Sequence, residues 1–348
     1  MSVDPTPPYP PCNDNLLWDI NMSFIHFPTL LVADELGLFA LLDGEPLTRD
    51  EVGARLSIGP RANSAMLGVL ASLGLLRDRG GRYYLSDVAK TYLLPDSPYY
   101  WGDMMALNRT IMMGAEPLKK AMLLDETNTF TGKPDDASLV EAWEKGEVDP
   151  ALARQFTKAM DNLFQGPAQH LARTIDLAPV TRLLDVGGGS GCFSIALAQH
   201  HPELRATILD LPAVCDVTRE FIAKRGVADR VDARLGDMFS RDWPGGYDGV
   251  FFGSVFHDWT EEQCRFLAKR SFEALPSGGR IFLHEVLHDD TGNGPLMTAG
   301  FSMFMVYNMQ GQQYTAAQLQ SFLGDAGFTD CQIATTTGYH FVVSARKP

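Results

Sequence analysis

The chain has 348 residues, 45% of them hydrophobic and 21% charged, a composition that suits a globular protein with two cores and excludes a disordered or low-complexity one. Its net charge of −14 argues against a nucleic-acid partner, because phosphate binding needs lysines and arginines gathered on one face. The five cysteines are odd in number, scattered and free of C-x-x-C spacing, which excludes a zinc ribbon or disulfide frame and fits a reducing cytoplasm.

The opening MSVDPTPPYPPCND has no basic segment followed by an apolar one and reads as a proline-stiffened tail. No run approaches the length of a membrane span, so no membrane partner is expected. Residues 15–42 are dense in large apolar side chains, among them Leu16, Leu17, Trp18, Ile20, Phe24 and Phe27. One helical face cannot hide so many, and a second copy of the chain would cover the excess. Thr48 before Arg49-Asp50-Glu51-Val52 marks a capped helix start, Ile58-Gly59-Pro60 a turn, and residues 62–76 a second amphipathic helix. Residues 77–85 then form a short hairpin around Gly80-Gly81. That order is a winged helix and raises a DNA-binding regulator as the remote alternative. Against it, residues 60–76 offer Arg61 as their one cation, among Met66, Leu67, Val69 and Leu70.

Residues 100–180 read as helical, with an interruption at 128–134 and a helix over 150–171. From Thr181 onward the runs LLDV, ATILD, VDARL, GVFFGSVF and RIFLHEVL alternate with helical stretches, the pattern of a mostly parallel sheet. A final pair, 331–335 and 340–344, closes it as an antiparallel hairpin. The expected division is a helical winged-helix domain over 1–160 and an α/β domain over 161–348.

The most informative stretch is LLDVGGGSG at 183–191. Gly187, Gly188 and Gly189 permit positive φ and leave no Cβ between backbone and ligand, and the next segment opens a helix whose free N–H groups face that ligand. A P-loop is excluded because Gly191 is followed by Cys192 rather than by Lys-Ser/Thr. Asp210, ending ATILD, stands where a carboxylate accepts bonds from ribose hydroxyls, and Gly236-Asp237-Met238-Phe239 ends the third run with a carboxylate beside apolar side chains, a setting for adenine. At the later strand ends, His257 and His284-Glu285 stand out. A histidine there is a candidate base, since its ordinary pKa lets it be neutral near pH 7. Glu285, on a neighbouring strand, can hold the second ring nitrogen and stabilise the imidazolium. The competing reading makes His257 a cap of the following helix.

In this order the glycine turn, the acidic hook and GDMF resemble the class I S-adenosylmethionine-dependent methyltransferases. FFGSVFHDWTEEQC, with DVGGGSG, LDLPAV, GDMF and Gly311-x-x-x-Thr315, is similar to the caffeate-type and hydroxyindole-type O-methyltransferases over nearly the whole chain. The resemblance implies a Rossmann-like methyltransferase domain, an N-terminal winged-helix homodimerisation domain, and O-methylation of a small molecule in secondary metabolism. It implies His257 as base with Glu285 beside it, and S-adenosylmethionine held by Asp185, Gly187, Gly189, Asp210, Leu211, Asp237 and Met238. The implied substrate wall is Phe156, Met160, Phe164, Asp258, Phe304 and Asn308. Three positions depart from the family pattern: Gln313 replaces a second carboxylate beside the base, Gly253 replaces a lysine common in plant members, and His288 stands where proline is frequent. The last raises an alternative, in which His257, Asp258 and His288 hold a divalent metal, Arg109 binds a carboxylate, and an α-keto acid is methylated on carbon.

Overall fold

The computed structural model describes residues 12–110, 114–124, 143 and 148–348, in two compact units that part between Tyr100 and Trp101. The boundary expected at 160 falls within an unbroken 25-residue helix. The interruption expected at 128–134 and the first eleven residues of the tail lie outside the described residues.

The first unit runs α1 (Asn15–Ser23), α2 (His26–Glu35), α3 (Leu38–Gly44), β1 (Leu47–Thr48), α4 (Arg49–Leu56), α5 (Pro60–Ser72), β2 (Leu76–Arg79), β3 (Arg82–Leu85) and α6 (Asp87–Tyr92). Thr48 accepts the Glu51 N–H while the Glu51 carboxylate accepts the Thr48 N–H, the reciprocal cap that the sequence announces. The second helix ends at Ser72, four residues short of expectation, because Gly74 takes φ 77° and turns the chain into β2. Strands β1, β3 and β2 pair in that order, antiparallel. On α1 and the turn that follows it, Leu16, Leu17, Trp18, Ile20 and Phe24 are exposed, Phe24 by 69%. One expectation is corrected here: Asn15–Glu35 is long and apolar enough to cross a membrane by length and composition. The helix breaks once, around Phe24-Ile25, and Asp19 and Asp34 lie within it.

The second unit begins with α7 (Gly102–Asn108), α8 (Ala115–Leu124) and α9 (Pro150–Thr174), the last capped by Asp149 Oδ1, which accepts the N–H groups of Ala151 and Leu152. Then come β4 (Arg182–Val186), α10 (Cys192–His200), β5 (Arg205–Asp210), α11 (Pro212–Lys224), β6 (Val231–Leu235), β7 (Gly249–Gly253), α12 (Glu261–Ala274), β8 (Arg280–Val286), α13 (Leu296–Asn308), α14 (Ala316–Ala326), β9 (Thr329–Thr337) and β10 (His340–Arg346). The strand order is β6-β5-β4-β7-β8-β10-β9, parallel from β6 through β8, with β10 antiparallel to both its neighbours.

The inner strands β4, β7 and β8 read as nearly continuous apolar runs because the sheet is covered there on both faces. Consecutive residues serve opposite cores: Leu184, Phe252 and Leu283 pack on one side, Leu183, Phe251 and Phe282 on the other. Winding runs outward from β4 in one direction and from β7 in the other, so the carboxyl ends of these adjacent strands form the switch point where such sheets bind ligands. Two strand limits differ from expectation. The run 249–256 is a strand only to Gly253, after which Ser254 takes φ 58° and Phe256–Asp258 forms a 3-10 turn. Strand β8 continues to Val286, so His284 and Glu285 lie within it.

Candidate active site

The glycine turn leaves β4 with Gly187 at φ 68° and Gly189 at φ 56°. At Gly188 an added Cβ would lie 2.6 Å from the Asp185 carboxyl carbon, so the turn closes over that buried side chain only without a side chain of its own. Asp185 Oδ2 accepts the Ser194 hydroxyl at 2.6 Å. Burial raises the Asp185 pKa to about 7, opposed by the Ser194 bond and reinforced by Asp210. Asp210 ends β5 and accepts the Gly189 N–H at 2.8 Å and the Leu211 N–H at 2.7 Å. Its pKa is raised by burial to about 6, with both N–H groups opposing. Beyond β6, Asp237 Oδ1 accepts the Phe239 N–H at 2.8 Å.

On the other side of the switch point, Glu285 organises the turn after β7. Its Oε1 accepts the N–H groups of Val255 and Phe256 at 2.9 and 2.8 Å, and its Oε2 lies 2.6 Å from His257 Nδ1. A carboxylate only accepts, so Nδ1 carries the hydrogen and Nε2 is the basic nitrogen. Asp258 Oδ1 lies 3.4 Å from Nε2. Burial alone would favour the neutral ring, but Glu285 and Asp258 outweigh it and raise the His257 pKa to about 9. Burial raises Asp258 to about 6, with His257 opposing and Glu285 adding. His257 does not cap the following helix, since Thr260 does so by accepting the Gln263 N–H.

Strand alternation decides which β8 residue joins this site. Glu285 faces His257, and His284 faces the opposite layer, stacked on His340 at 5.3 Å and bonded through Nε2 to Thr336 Oγ1 at 3.0 Å. Burial, then His340, pushes the His284 pKa well below its ordinary value.

A single cavity brings together most residues singled out from the sequence. Gly187, Gly189, Asp210, Leu211, Asp237 and Met238 line one part, and His257, Asp258, Phe156, Met160, Phe164, Phe304 and Asn308 line the rest. Asp185 and Glu285 stand behind this wall and hold its turns. Three expectations are not met. Arg109 lies past the end of α7, exposed and outside the lining, while the preceding Asn108 occupies the wall. Gln313 is buried but does not line the cavity; its backbone N–H donates to Ser302 Oγ at 3.0 Å. His288 turns toward α13, with Nδ1 3.2 Å from Gly294 O and Nε2 3.0 Å from Ser302 Oγ. It therefore does not meet His257, and among the described residues no three His, Cys, Asp or Glu side chains are placed to hold a metal.

Sequence reasoning missed Phe301, whose ring lies 5.1 Å from the His257 ring, and Trp143, tilted against Phe156 at 5.7 Å. Phe301 had a signal: with Phe304, Met305 and Asn308 it follows the i, i+3, i+4, i+7 spacing of one helix face. Trp143 had none.

Residues 121–329 match the model of the O-methyltransferase domain, and residues 18–95 that of the O-methyltransferase dimerisation domain. The chain belongs to the O-methyltransferase family. It is thus an S-adenosylmethionine-dependent methyltransferase, and the segment whose element order suggested a winged helix is the family's dimerisation domain. The chain is 35% identical over 316 residues to a 3-hydroxy-5-methyl-1-naphthoate 3-O-methyltransferase of Streptomyces sahachiroi, covering 90% of this chain and 89% of the relative. It is 31% identical over 305 residues to an L-tyrosine C(3)-methyltransferase of Streptomyces lavendulae, covering 87% and 83%. Human N-acetylserotonin methyltransferase, solved with its methyl donor SAM, superposes with a TM-score of 0.81 at 26% identity over 96% of this chain and 97% of that one.

Proposed function

We propose that this O-methyltransferase methylates a hydroxyl group on a small aromatic molecule in natural-product biosynthesis, with His257 as general base. The observation that carries the reading is the placement of His257: its ring faces the cavity shared by the glycine turn and the aromatic wall, while Glu285 holds Nδ1 at 2.6 Å. The naphthoate relative is named for methylation of an aromatic hydroxyl and the tyrosine relative for methylation of a hydroxylated ring at C(3), which supports an aromatic substrate.

The residues fit the methyl donor. Apart from Gly189 itself and its two chain neighbours, no described atom lies within 4 Å of where a Gly189 Cβ would be, and Asp210 presents a carboxylate at the wall. Gly187 and Gly189 would lie against the methionine portion, Asp210 and Leu211 at the ribose, and Asp237 and Met238 at the adenine. When bound, S-adenosylmethionine supplies an electrophilic methyl group. His257 Nε2 takes the acceptor hydroxyl's proton, and Glu285 stabilises the resulting imidazolium and fixes the tautomer. Phe301, Phe304 and Phe156 orient a flat acceptor and exclude water, which supplies part of the rate by positioning.

Replacing His257 with Ala should leave the affinity for S-adenosylhomocysteine, measured by calorimetry, nearly unchanged while turnover falls by about 10²-fold or more. Retention of full activity would overturn the base assignment. We further propose a homodimer built through the exposed face of α1 and α2, to be checked by light scattering with Leu17→Glu, which should yield monomer. The five cysteines are all unpaired, which supports a reducing cytoplasm.

A further inference from the structure

Glu285 holds the catalytic turn by its N–H groups, and a second segment holds the same turn by its carbonyl groups. The chain that leaves α13 runs against residues 256–259. The Gln310 N–H donates to Asp258 O at 3.2 Å, Gly311 lies so close that a Cβ there would stand 2.3 Å from His257 O, and the Tyr314 hydroxyl donates to Trp259 O at 2.7 Å. Tyr314 is itself firmly seated. Its carbonyl accepts the His288 N–H at 3.1 Å just past β8, and its buried ring meets Phe322 of α14 edge-on at 5.2 Å. The strand that supplies Glu285 thus also anchors the residue at the other end of the turn.

Cys264 Sγ also approaches Trp259 O, at 3.6 Å, but a thiol is a weak donor with one hydrogen and this one lies nearer Phe256 O, at 3.2 Å. The phenolic bond therefore carries the restraint. Without it a buried carbonyl is left to the thiol, and the peptide that follows His257 and Asp258 relaxes. The His257 ring must keep Nδ1 at 2.6 Å from Glu285 and turn Nε2 to the cavity, so a small shift of its own backbone misplaces the reacting nitrogen. Resting on the reading of His257 as base, we infer that Tyr314 is a positioning residue for it: the hydroxyl fixes the Trp259 carbonyl and, through it, the seat of the imidazole between Glu285 and Asp258.

The test is Tyr314→Phe, which keeps the ring against Phe322 and removes the hydroxyl alone. Two measurements are made on the full chain. Titration of His257 is followed by NMR with histidine labelled at Cε1, in protein saturated with S-adenosylhomocysteine, the signal being the one that His257→Ala lacks. Methyl transfer from S-adenosylmethionine to 3-hydroxy-1-naphthoic acid is followed in parallel. Glu285 and Asp258 hold the His257 pKa at about 9 against burial, so a loosened turn should lower it, by about 0.5 pH unit or more. Turnover, kcat, should fall about tenfold with KM for the naphthoate kept within about twofold. An unchanged titration, with or without a loss of turnover, would overturn the inference and leave the base assignment intact. A lowered titration with wild-type turnover would overturn the base assignment instead. If wild-type protein puts no methyl on the naphthoate oxygen, the proposed acceptor class is overturned and the titration alone decides the role of Tyr314.

Discussion

His257 Nδ1 and Glu285 Oε2 lie 2.6 Å apart, and the other oxygen of the same carboxylate holds the backbone N–H groups of Val255 and Phe256. One buried side chain therefore sets the position, tautomer and charge of the ring. It does so from the next strand, where pairing of Gly253 with His284 carries Glu285 level with the turn.

The pH dependence of turnover follows from this pair. Only neutral His257 accepts a proton, and its pKa is about 9 because the carboxylates of Glu285 and Asp258 outweigh burial. In wild-type protein kcat/KM should rise with pH and level off above about 9, since that ratio reports the free enzyme's base. In Glu285→Gln the rising limb should move to lower pH, because the ring loses its main anionic partner. The plateau should also fall, by about 10²-fold or more, because the imidazolium loses its stabiliser. A profile that stays in place on this substitution would disprove the coupling.

Asp185 allows a stability test with a definite sign. Its folded pKa is raised to about 7 from 3.8, chiefly by burial, so the folded state favours the protonated carboxyl. Its contribution is fully present below pH 3.8 and is lost as pH rises through 7, leaving a buried charge as a cost at pH 8. Asp185→Asn keeps an acceptor for Ser194 and removes that cost. Its Tm should exceed the wild-type value at pH 8 by a few degrees and show a smaller advantage at pH 5. Thermal melts at the two values check this.

Two glycine substitutions should separate the halves of the site. A Cβ at Gly311 would lie 2.3 Å from His257 O and 2.6 Å from Trp259 N, both backbone atoms that hold the catalytic turn. Gly311→Ala should cost about 1–3 kcal/mol in stability and lower turnover at least tenfold, with donor affinity little changed. Gly188→Ala drives its Cβ into the Asp185 carboxyl group at 2.6 Å. Here the affinity for S-adenosylhomocysteine should fall first, which calorimetry on the two variants would resolve.

Chelation should leave methyl transfer unchanged, because the His288 ring is engaged by Gly294 O and Ser302 Oγ and takes no part in a metal set. His288→Phe should lower stability by about 1–2 kcal/mol through the loss of those bonds, with kcat altered only a few-fold. Activity abolished by EDTA and restored by a divalent metal would contradict this arrangement.

What the sequence determined by itself is what depends on neighbours along the chain. The capped start at Thr48, the apolar runs that became parallel strands, the glycine turn and the strand-end position of His257 all follow from local propensity and period. The family motifs extended that reading to the residues of the donor site. The tertiary structure alone decided where side chains meet across elements. Arg109 and Asn108 differ by one helical step, and packing put Asn108 in the cavity wall. His284 and Glu285 differ by one strand position, and the pleat sent one to a buried stack and the other to His257. His288 and Gln313, which looked like partners of the base, are both drawn to Ser302 on α13. The physical reason is common to all of them: a contact between distant residues depends on register, pleat and helix phase together, and a single step in any one of these turns a side chain to another face.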